Sequence, residues 1–592
     1  MSERERSQRL TGAEVALAVL FGGLTVAFFS IQIGETGEFS VLASENRVRA
    51  VAIPAARGLL LDRHGRVMAD NTPTYVISSQ PGPLQEFSQA LGQLREPLGL
   101  SEARVAALVR ERADRPFQVI VVLAGATFEQ MAHIEERRPR FPNLRVDLLH
   151  RRTYPLGAAA AHVVGYLGEI TEEELADPAF AGYVPGQLLG RNGLEARYER
   201  RLVGRDGVRY VEVNTLGAVV RELPGTVEAM PGQDLHLSID MDLQQLAHSA
   251  FPRDYAGGVV GLDPRTGEVL VSYSSPTFDT NLMVGGVPQD IWDGLLQDSQ
   301  RPLLDRVVAG AYPPGSTFKP IVAAIAMRAG AADPGTEFDH ACAGGLPLGN
   351  RYFRCWDSSG HGRMNLVSAL VESCNVYFYQ LGQALGLEAL LQGAAGLALN
   401  GVTGVDLPFE QPGNFPLSTA EFDQMYGERG WNPTVAEWNL SIGQGENTQS
   451  VLSMAQLYAS LATGRPAPEP RLTRLAGAGD PPRTSGRDLG LIPEQRAALI
   501  GALVDAVNHP DGTAYEHRLD RWEMAGKTGT AQNPAGEPHS WFVGFAPARD
   551  PKIVVAALVE HGHPEGETHL SVPLAARIVE EYLTSMEQMA AR

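Results

Sequence analysis

The sequence predicts an α+β multidomain protein with a single N-terminal transmembrane helix. Three observations predict it. The chain has 592 residues, and at about 150 residues per domain that is three or four folded units. One uncharged run, residues 15–33 (VALAVLFGGLTVAFFSIQI), stands behind Arg4, Arg6 and Arg9, and no second run of that length follows. Beyond it, strand-like alternation and helical periodicity are mixed along the chain. With 44% hydrophobic and 20% charged residues the chain can bury sizeable cores, which excludes wholesale disorder. The balance of 49 basic against 69 acidic residues, −20, argues against a nucleic-acid partner. Three cysteines are too few for a disulfide scaffold. Lys319, Lys527 and Lys552 are the chain's three lysines, so wherever one stands it carries weight.

At about 1.5 Å per residue the 15–33 run reaches about 28 Å, close to the ~30 Å hydrocarbon core of a bilayer. Basic residues before the run favour a cytoplasmic N-terminus and an exported remainder. A cleaved signal peptide is the rival reading, but no small-x-small site follows Phe29. The expected organisation is a cytoplasmic tail over 1–12 and an anchor over 13–34, with everything else on the outer face of the membrane.

The exported part opens with a β-hairpin near 59–68 turning at His64-Gly65. Residues 83–140 carry helical periodicity, and Ser101 is the N-cap of LSEARVAALVRERA. TYPLGAAAAHVVGYLGEI and GLEARYERRLVGRDG follow, and the Pro231-Gly232 turn marks a boundary before the strand DLHLSID and the helix MDLQQLAHSAF. GGVVGLDPRTGEVLVSYSSP is a hairpin of buried strands joined at Arg265-Thr266-Gly267. From there to about residue 583, strands and helices mix in one domain of about 350 residues. SWFVGFAP reads as an edge strand and hairpin whose core is Trp541, Phe542 and Phe545, and 476–487 reads as a surface loop.

Three short segments carry chemistry. Ser316-Thr317-Phe318-Lys319 follows Tyr312-Pro313-Pro314-Gly315 and precedes PIVAAIAMRAG, a loop running into a helix. Ser316 there sits at the positive end of the helix dipole, and Lys319, three residues on, shares its face. A desolvated lysine loses its proton readily and can serve as base for a hydroxyl, which an arginine cannot. The plain alternative is a serine N-cap beside a solvated lysine. Ser373-Cys374-Asn375 presents a hydroxyl and an amide at an apolar helix, and Lys527-Thr528-Gly529-Thr530 offers a second scarce lysine, two hydroxyls and a glycine that admits a ligand close to the backbone.

S-x-x-K, S-x-N and K-T-G in that order resemble the penicillin-binding proteins and serine β-lactamases. RGLLLDRHGRVMADN, YPLGAAAAHVVGYLGEI and GRNGLEARYERRLVGRDG resemble the pedestal motifs of class B, monofunctional transpeptidases, and FRCWDSSGHGRMNLVSALVESCN resembles their elongation-specific, rod-shape branch. The resemblance implies an elongated non-catalytic pedestal (dimerisation-like) over 35–235. It implies a penicillin-binding transpeptidase domain over 236–592, an antiparallel sheet flanked by helices. One departure is GQGENTQSVLSMAQ from Gly443, where many relatives carry T-P-L-Q; this reads as variation in the substrate groove.

The resemblance also implies the activity: a peptidoglycan D-Ala-D-Ala transpeptidase that cross-links stem peptides during cell elongation and is acylated by β-lactams. Ser316 would attack the penultimate D-Ala carbonyl, Lys319 would take its proton and Ser373 would relay it to the leaving amine. Asn375 would hold the acyl chain; Lys527, Thr528, Gly529 and Thr530 would bind the carboxylate. The oxyanion hole would be the N–H groups of Ser316 and Thr530, one such donor being worth about 2.7–4 kcal/mol of barrier. No cofactor is required for this chemistry. The partners implied are stem peptides, β-lactams, the membrane, a RodA-like SEDS glycan polymerase and other elongation-complex proteins. Competing functions are a carboxypeptidase or β-lactamase and a non-catalytic scaffold for the polymerase. Glu437 and Asn439 do not make the E-x-x-x-N of class A β-lactamases, which argues against the hydrolase. The acceptor amine, diaminopimelate or lysine, is left open.

All three cysteines, Cys342, Cys355 and Cys374, fall within 33 residues with His361 between the last two. Three thiolates and an imidazole make a closed tetrahedral zinc set, which would tie 342–362 to the base of the S-x-N helix. Some elongation-type relatives carry a metal near S-x-N. Asp357 and His340 are substitute ligands. A Cys342–Cys355 disulfide with Cys374 merely buried, and three free thiols, are the alternative readings. Elsewhere, Arg57, Asp62 and Arg63 read as ion-paired hairpin structure rather than an acid/base set, and His539 as a loop residue lining the groove.

Overall fold

A computed structural model describes residues 3–30, 48–213, 219–284, 286–474, 483–533, 536–563 and 569–591. The chain divides into two compact units that are not contiguous in sequence: Met1–Ala56 with Thr72–Arg151 and Val203–Gly232, and Arg57–Asn71 with Arg152–Leu202 and Gln233–Arg592.

The first unit begins with a helix, Glu3–Phe29. From Val15 onward its apolar side chains, Val19, Leu20, Phe21 and Phe29 among them, are exposed. Among the described residues no helix is long and apolar enough to cross a membrane. The helix's first turns are charged, and 31–33 of the expected 15–33 span lie outside the described residues. The remainder pairs Val48–Ile53 antiparallel with Gly207–Val213, which pairs with Val219–Glu222. A second layer packs Leu84–Leu94 and Glu102–Asp114 on Ile120–Ala126 around Phe87, Leu91, Leu108 and Val122. Ser101 caps its helix as expected, its hydroxyl accepting from the Arg104 N–H at 3.1 Å. Arg112 is buried because five oxygens of 79–80, Pro116 and Gln118 receive its guanidinium, which also lies over the Phe87 ring.

The second unit is built on a five-stranded antiparallel sheet. Its elements are α1 (Met241–Ala250), β1 (Gly257–Leu262), β2 (Val269–Ser275), α2 (Lys319–Arg328), α3 (Asn375–Leu385), α4 (Val451–Thr463), β3 (Ala525–Ala531), β4 (His539–Ala546), β5 (Ile553–Val559) and α5 (Ser571–Ala590). The strand order is β2-β1-β5-β4-β3. Helices cover both faces, so the central strands read as apolar runs rather than alternating ones. Along β5 the alternation is still there in space. Ile553, Val555, Ala557 and Val559 pack with α1 and α5, while Val554, Ala556 and Leu558 pack into the larger core with α2 and α4.

Both expected hairpins form, with Leu61 opposite Val67 and Gly257 opposite Ser275. The SWFVGFAP strand is not an edge. As β4 it lies between β3 and β5, and the edge is β3, the K-T-G strand. Most of the expected 476–487 loop lies outside the described residues, but Arg487 is 1% exposed and donates to Ser453, Ala398 and Gly401. The Arg57, Asp62, Arg63 cluster resolves into structural ion pairs: Arg57 with Glu195 and Glu199, Asp62 with Arg66.

Candidate active site

Ser316 lies in a one-turn 3-10 segment, Gly315–Phe318, that runs into α2. Lys319, Ser373 and Asn375 converge beside it. The Lys319 ammonium donates to the Ser373 carbonyl at 2.6 Å, to the Asn375 Oδ1 at 2.7 Å and to the Ser373 Oγ at 3.3 Å. Among the described residues the Ser316 Oγ has no hydrogen bond, so the expected Lys319–Ser316 contact is not formed. The S-x-N oxygens are the stronger acceptors available to a buried ammonium, and catalytic contacts of this kind commonly tighten only when substrate is bound. Lys319 is fully buried, which pulls its pKa down to about 8 against the opposing pull of the three cysteines. Ser373 sits at φ +57, a left-handed conformation that costs a non-glycine residue about 1–3 kcal/mol and persists where its surroundings over-determine it.

Lys527 is also fully buried, and burial together with Lys319 holds its pKa well below the usual lysine value. The Thr528 hydroxyl donates to the Thr513 hydroxyl at 2.7 Å. Gly529 packs against the nucleophile turn: a Cβ there would stand 2.9 Å from both the Pro314 carbonyl oxygen and the Thr317 Cγ2. The third wall is the variant GQGEN segment. The Gly315 N–H donates to the Gly443 carbonyl at 2.9 Å and the Gln444 side-chain amide to the Thr530 carbonyl at 3.2 Å. Gly443, at φ +71, leaves no room for a side chain, since its Cβ would fall 2.2 Å from the Gly315 oxygen. The groove these elements enclose is about 540 Å³, lined by Ser316, Ser373, Asn375, Thr528 and Thr530, with Arg354, Trp356, His563 and His569 at its sides.

The three cysteines and His361 come together as a second cluster, each offering one ligand atom within 4.8 Å of the others. Ligand atoms around a zinc with ~2.3 Å bonds stand about 3.8 Å apart, so the set fits. All three cysteines are free and buried, so the Cys342–Cys355 disulfide is not formed. The His361 Nδ1 lies 3.5 Å from Cys342 and 3.6 Å from Cys355. Hydrogen bonding from Cys374 and His361 lowers the Cys355 pKa, the Cys355 thiol raises that of His361, and the contact with Cys355 together with burial raises that of Cys374. The Asn375 N–H donates to Cys355 Sγ at 3.3 Å, which joins this cluster to the S-x-N turn. His340 and Asp357 stay outside the set: the His340 backbone is bound by Gln380, and Asp357 accepts from Ser359.

Residues 257–580 match the family of the penicillin binding protein transpeptidase domain, and residues 52–237 that of the penicillin-binding protein dimerisation domain. The chain belongs to the penicillin-binding proteins. A peptidoglycan D,D-transpeptidase MrdA of Acinetobacter baumannii is 32% identical over 562 residues, 90% of this chain and 82% of that one. A penicillin-binding protein (PBP2) from Helicobacter pylori, solved in complex with MreC, superposes with a TM-score of 0.78 at 26% identity over 91% of this chain and 99% of its own. A chain of a peptidoglycan synthase complex, described as coordinating polymerization and crosslinking, gives 0.70 at 29% identity over 97% of both.

As in a penicillin-binding protein motif set, Ser316, Lys319, Ser373, Asn375 and the 527–530 strand share one groove. Sequence reasoning missed several supports of it. Tyr312 donates to Glu560 at 2.6 Å, and Glu560 also takes the buried Arg306 at 2.7 Å, bracing the turn before Ser316. Tyr458 donates to the Thr317 carbonyl at 2.8 Å. Gln444 carried a signal, the departure from T-P-L-Q; Thr513, in an unremarkable loop, carried none. His539 is not a groove residue: it opens β4, 9% exposed, edge-on to Tyr312 and His561.

Proposed function

We propose that the chain is a serine-type peptidoglycan D,D-transpeptidase of the elongation machinery, with Ser316 as nucleophile. The observation that carries the reading is the convergence of two buried, pKa-lowered lysines behind one groove lined by a strained Ser373 and a Ser316 hydroxyl that has no hydrogen bond among the described residues. Lys319, freed of its proton, takes the Ser316 proton as Oγ attacks the penultimate D-Ala carbonyl. The N–H groups of Ser316 and Thr530 receive the oxyanion. The C–N bond to the terminal D-Ala breaks, its nitrogen taking a proton through Ser373, and an acceptor amine then attacks the ester and returns the proton to Ser316. Asn375 holds the acyl chain, and Lys527, Thr528, Gly529 and Thr530 receive the carboxylate.

Cys342, Cys355, Cys374 and His361 would hold a structural zinc, which when bound supplies a cross-link and no open coordination site. The ligand spacing, with the His361 Nδ1 facing Cys342 and Cys355, supports that reading. Residues 13–34 would anchor the protein in the cytoplasmic membrane behind a tail over 1–12, with the pedestal over 35–235 and the transpeptidase domain over 236–592 outside. The uncharged 15–33 run and the exposed apolar side chains that follow Val15 support it. The MreC complex and the synthase complex among its structural relatives support elongation-complex partners, including a RodA-like SEDS polymerase.

The test is intact-mass spectrometry of the purified protein during a benzylpenicillin time course, with Ser316→Ala alongside. One long-lived adduct, absent in the variant, is expected. An adduct that clears within seconds would replace the transpeptidase by a hydrolase, and none at all would leave a scaffold.

A further inference from the structure

The groove contains a charge that the reaction as derived does not use. Among the described residues lining it, Arg354 carries the one permanent charge; Lys319 and Lys527 lie behind it with no exposure. Arg354 closes the hairpin of Gly345–Leu348 and Arg351–Arg354. Its side chain is exposed, and among the described residues its guanidinium has neither a hydrogen bond nor an ion pair. Its backbone, in contrast, is held: the Arg354 carbonyl accepts from the Tyr379 hydroxyl at 3.2 Å and from the Asn375 amide at 3.4 Å.

The residue stands where the strand ends and the chain turns. Cys355 is 6% exposed in the cysteine cluster, while its two neighbours are exposed and line the groove. Trp356 is 61% exposed, yet its indole N–H is fixed on the Glu372 carbonyl at 2.9 Å. The pair therefore presents a bare guanidinium beside a fixed apolar surface, on a chain whose net charge is −20. An unpaired arginine fork in a peptide groove fits a carboxylate in bidentate fashion.

We propose that Arg354 is a specificity-determining residue that takes a carboxylate of the donor stem peptide, upstream of the D-Ala that acylates Ser316. The inference rests on the transpeptidase reading. The terminal D-Ala carboxylate faces Thr528 and Thr530 on β3, whereas Arg354 adjoins Asn375, where the acyl chain lies. Two stem carboxylates share the required chemistry: the α-carboxylate of the γ-linked glutamate and the side-chain carboxylate of a diaminopimelate.

The test uses the full chain in detergent and four synthetic donor pentapeptides: the parent, one with isoglutamine, one with lysine for diaminopimelate, and one with both changes. D-Ala release by wild type, Arg354→Ala and Arg354→Lys is read against acylation by benzylpenicillin, which lacks both carboxylates. The ratio of parent-donor kcat/KM to penicillin acylation is expected to fall about tenfold to a hundredfold in Arg354→Ala, chiefly through KM, with partial recovery in Arg354→Lys. The donor whose single change costs wild type the same factor, and Arg354→Ala nothing further, identifies the carboxylate. Equal loss by Arg354→Ala on the doubly neutral donor, or equal loss of penicillin acylation, would overturn the proposal. Absence of any penicillin adduct in wild type would overturn the transpeptidase reading, and this inference with it.

Discussion

Glu195 offers the sharpest test of what holds the catalytic unit together. Its carboxylate is fully buried and receives Arg57 at 2.6 Å, Arg152 at 2.8 Å and the Tyr154 hydroxyl at 3.2 Å. Burial would push the Glu195 pKa up, but the two arginines outweigh it and hold it below the usual value. With Glu199, which also pairs Arg57, two acids balance two bases. Glu195→Gln keeps the shape and removes one negative charge, so an uncompensated positive charge stays buried. Breaking one partner out of a buried ionic network costs about 3–5 kcal/mol, a large part of a total stability of about 5–15 kcal/mol. Asp550→Asn is the matched control: Asp550 pairs with Arg265 at the surface, both more than half exposed, and such pairs contribute about 0–1 kcal/mol. Guanidinium unfolding followed by circular dichroism, with titration by a fluorescent penicillin to count competent sites, reads both variants. A Glu195→Gln midpoint indistinguishable from that of Asp550→Asn would refute the reasoning and mean that water or a rearranged Glu199 compensates the arginines.

Three further outcomes follow from the same geometry. Gly443→Ala places a Cβ 2.2 Å from the Gly315 oxygen, so penicillin acylation should fall at least about tenfold while circular dichroism is retained, a misplaced nucleophile costing up to about a hundredfold. The purified protein should carry one zinc by elemental analysis; chelation, or Cys374→Ser, should lower the unfolding temperature and slow acylation by about tenfold to a hundredfold, the range typical of losing a metal site's support. Burial would raise the Glu560 pKa, yet the Tyr312 hydroxyl and Arg306 hold it below 4.5. A depressed folded-state pKa stabilises above the unfolded value and is lost as pH falls, so the gap in unfolding temperature between wild type and Glu560→Gln should be full near neutrality and close as pH drops below about 4.5; a gap that widens in acid would sink this assignment.

What was legible in the sequence was what is local. Ser316 to Lys319 is one turn, S-x-N and K-T-G are each a few residues, and three cysteines in one short stretch declare themselves by density. The pairing of these segments was not legible. The strings around Arg57 and Glu195 were each visible as motifs, but that one guanidinium lands on the other's carboxylate, 138 residues away, depends on the closed fold. The same holds for Gly443 against Gly315. The choice of Lys319 between Ser316 and the Ser373–Asn375 oxygens is a competition among acceptors that spacing cannot decide. The misreading of β4 as an edge has a simple cause: an apolar run buried on both faces looks alike at the edge and the centre of a sheet, and strand order is set by chain crossings.

The burial of Lys319 and Lys527 has a practical consequence for anyone handling this protein. Amine-directed reagents see an ordinary enzyme as a field of lysines, and conjugation gives mixtures. Here two of the three lysines have no exposed surface, and Lys552, about one-third exposed beside Asp550, stands on the turn leading into β5. Apart from the N-terminal amine, a succinimidyl dye, a biotin or a cross-linker has one address, which makes Lys552 a ready site for following the catalytic domain by fluorescence with its active-site amines untouched.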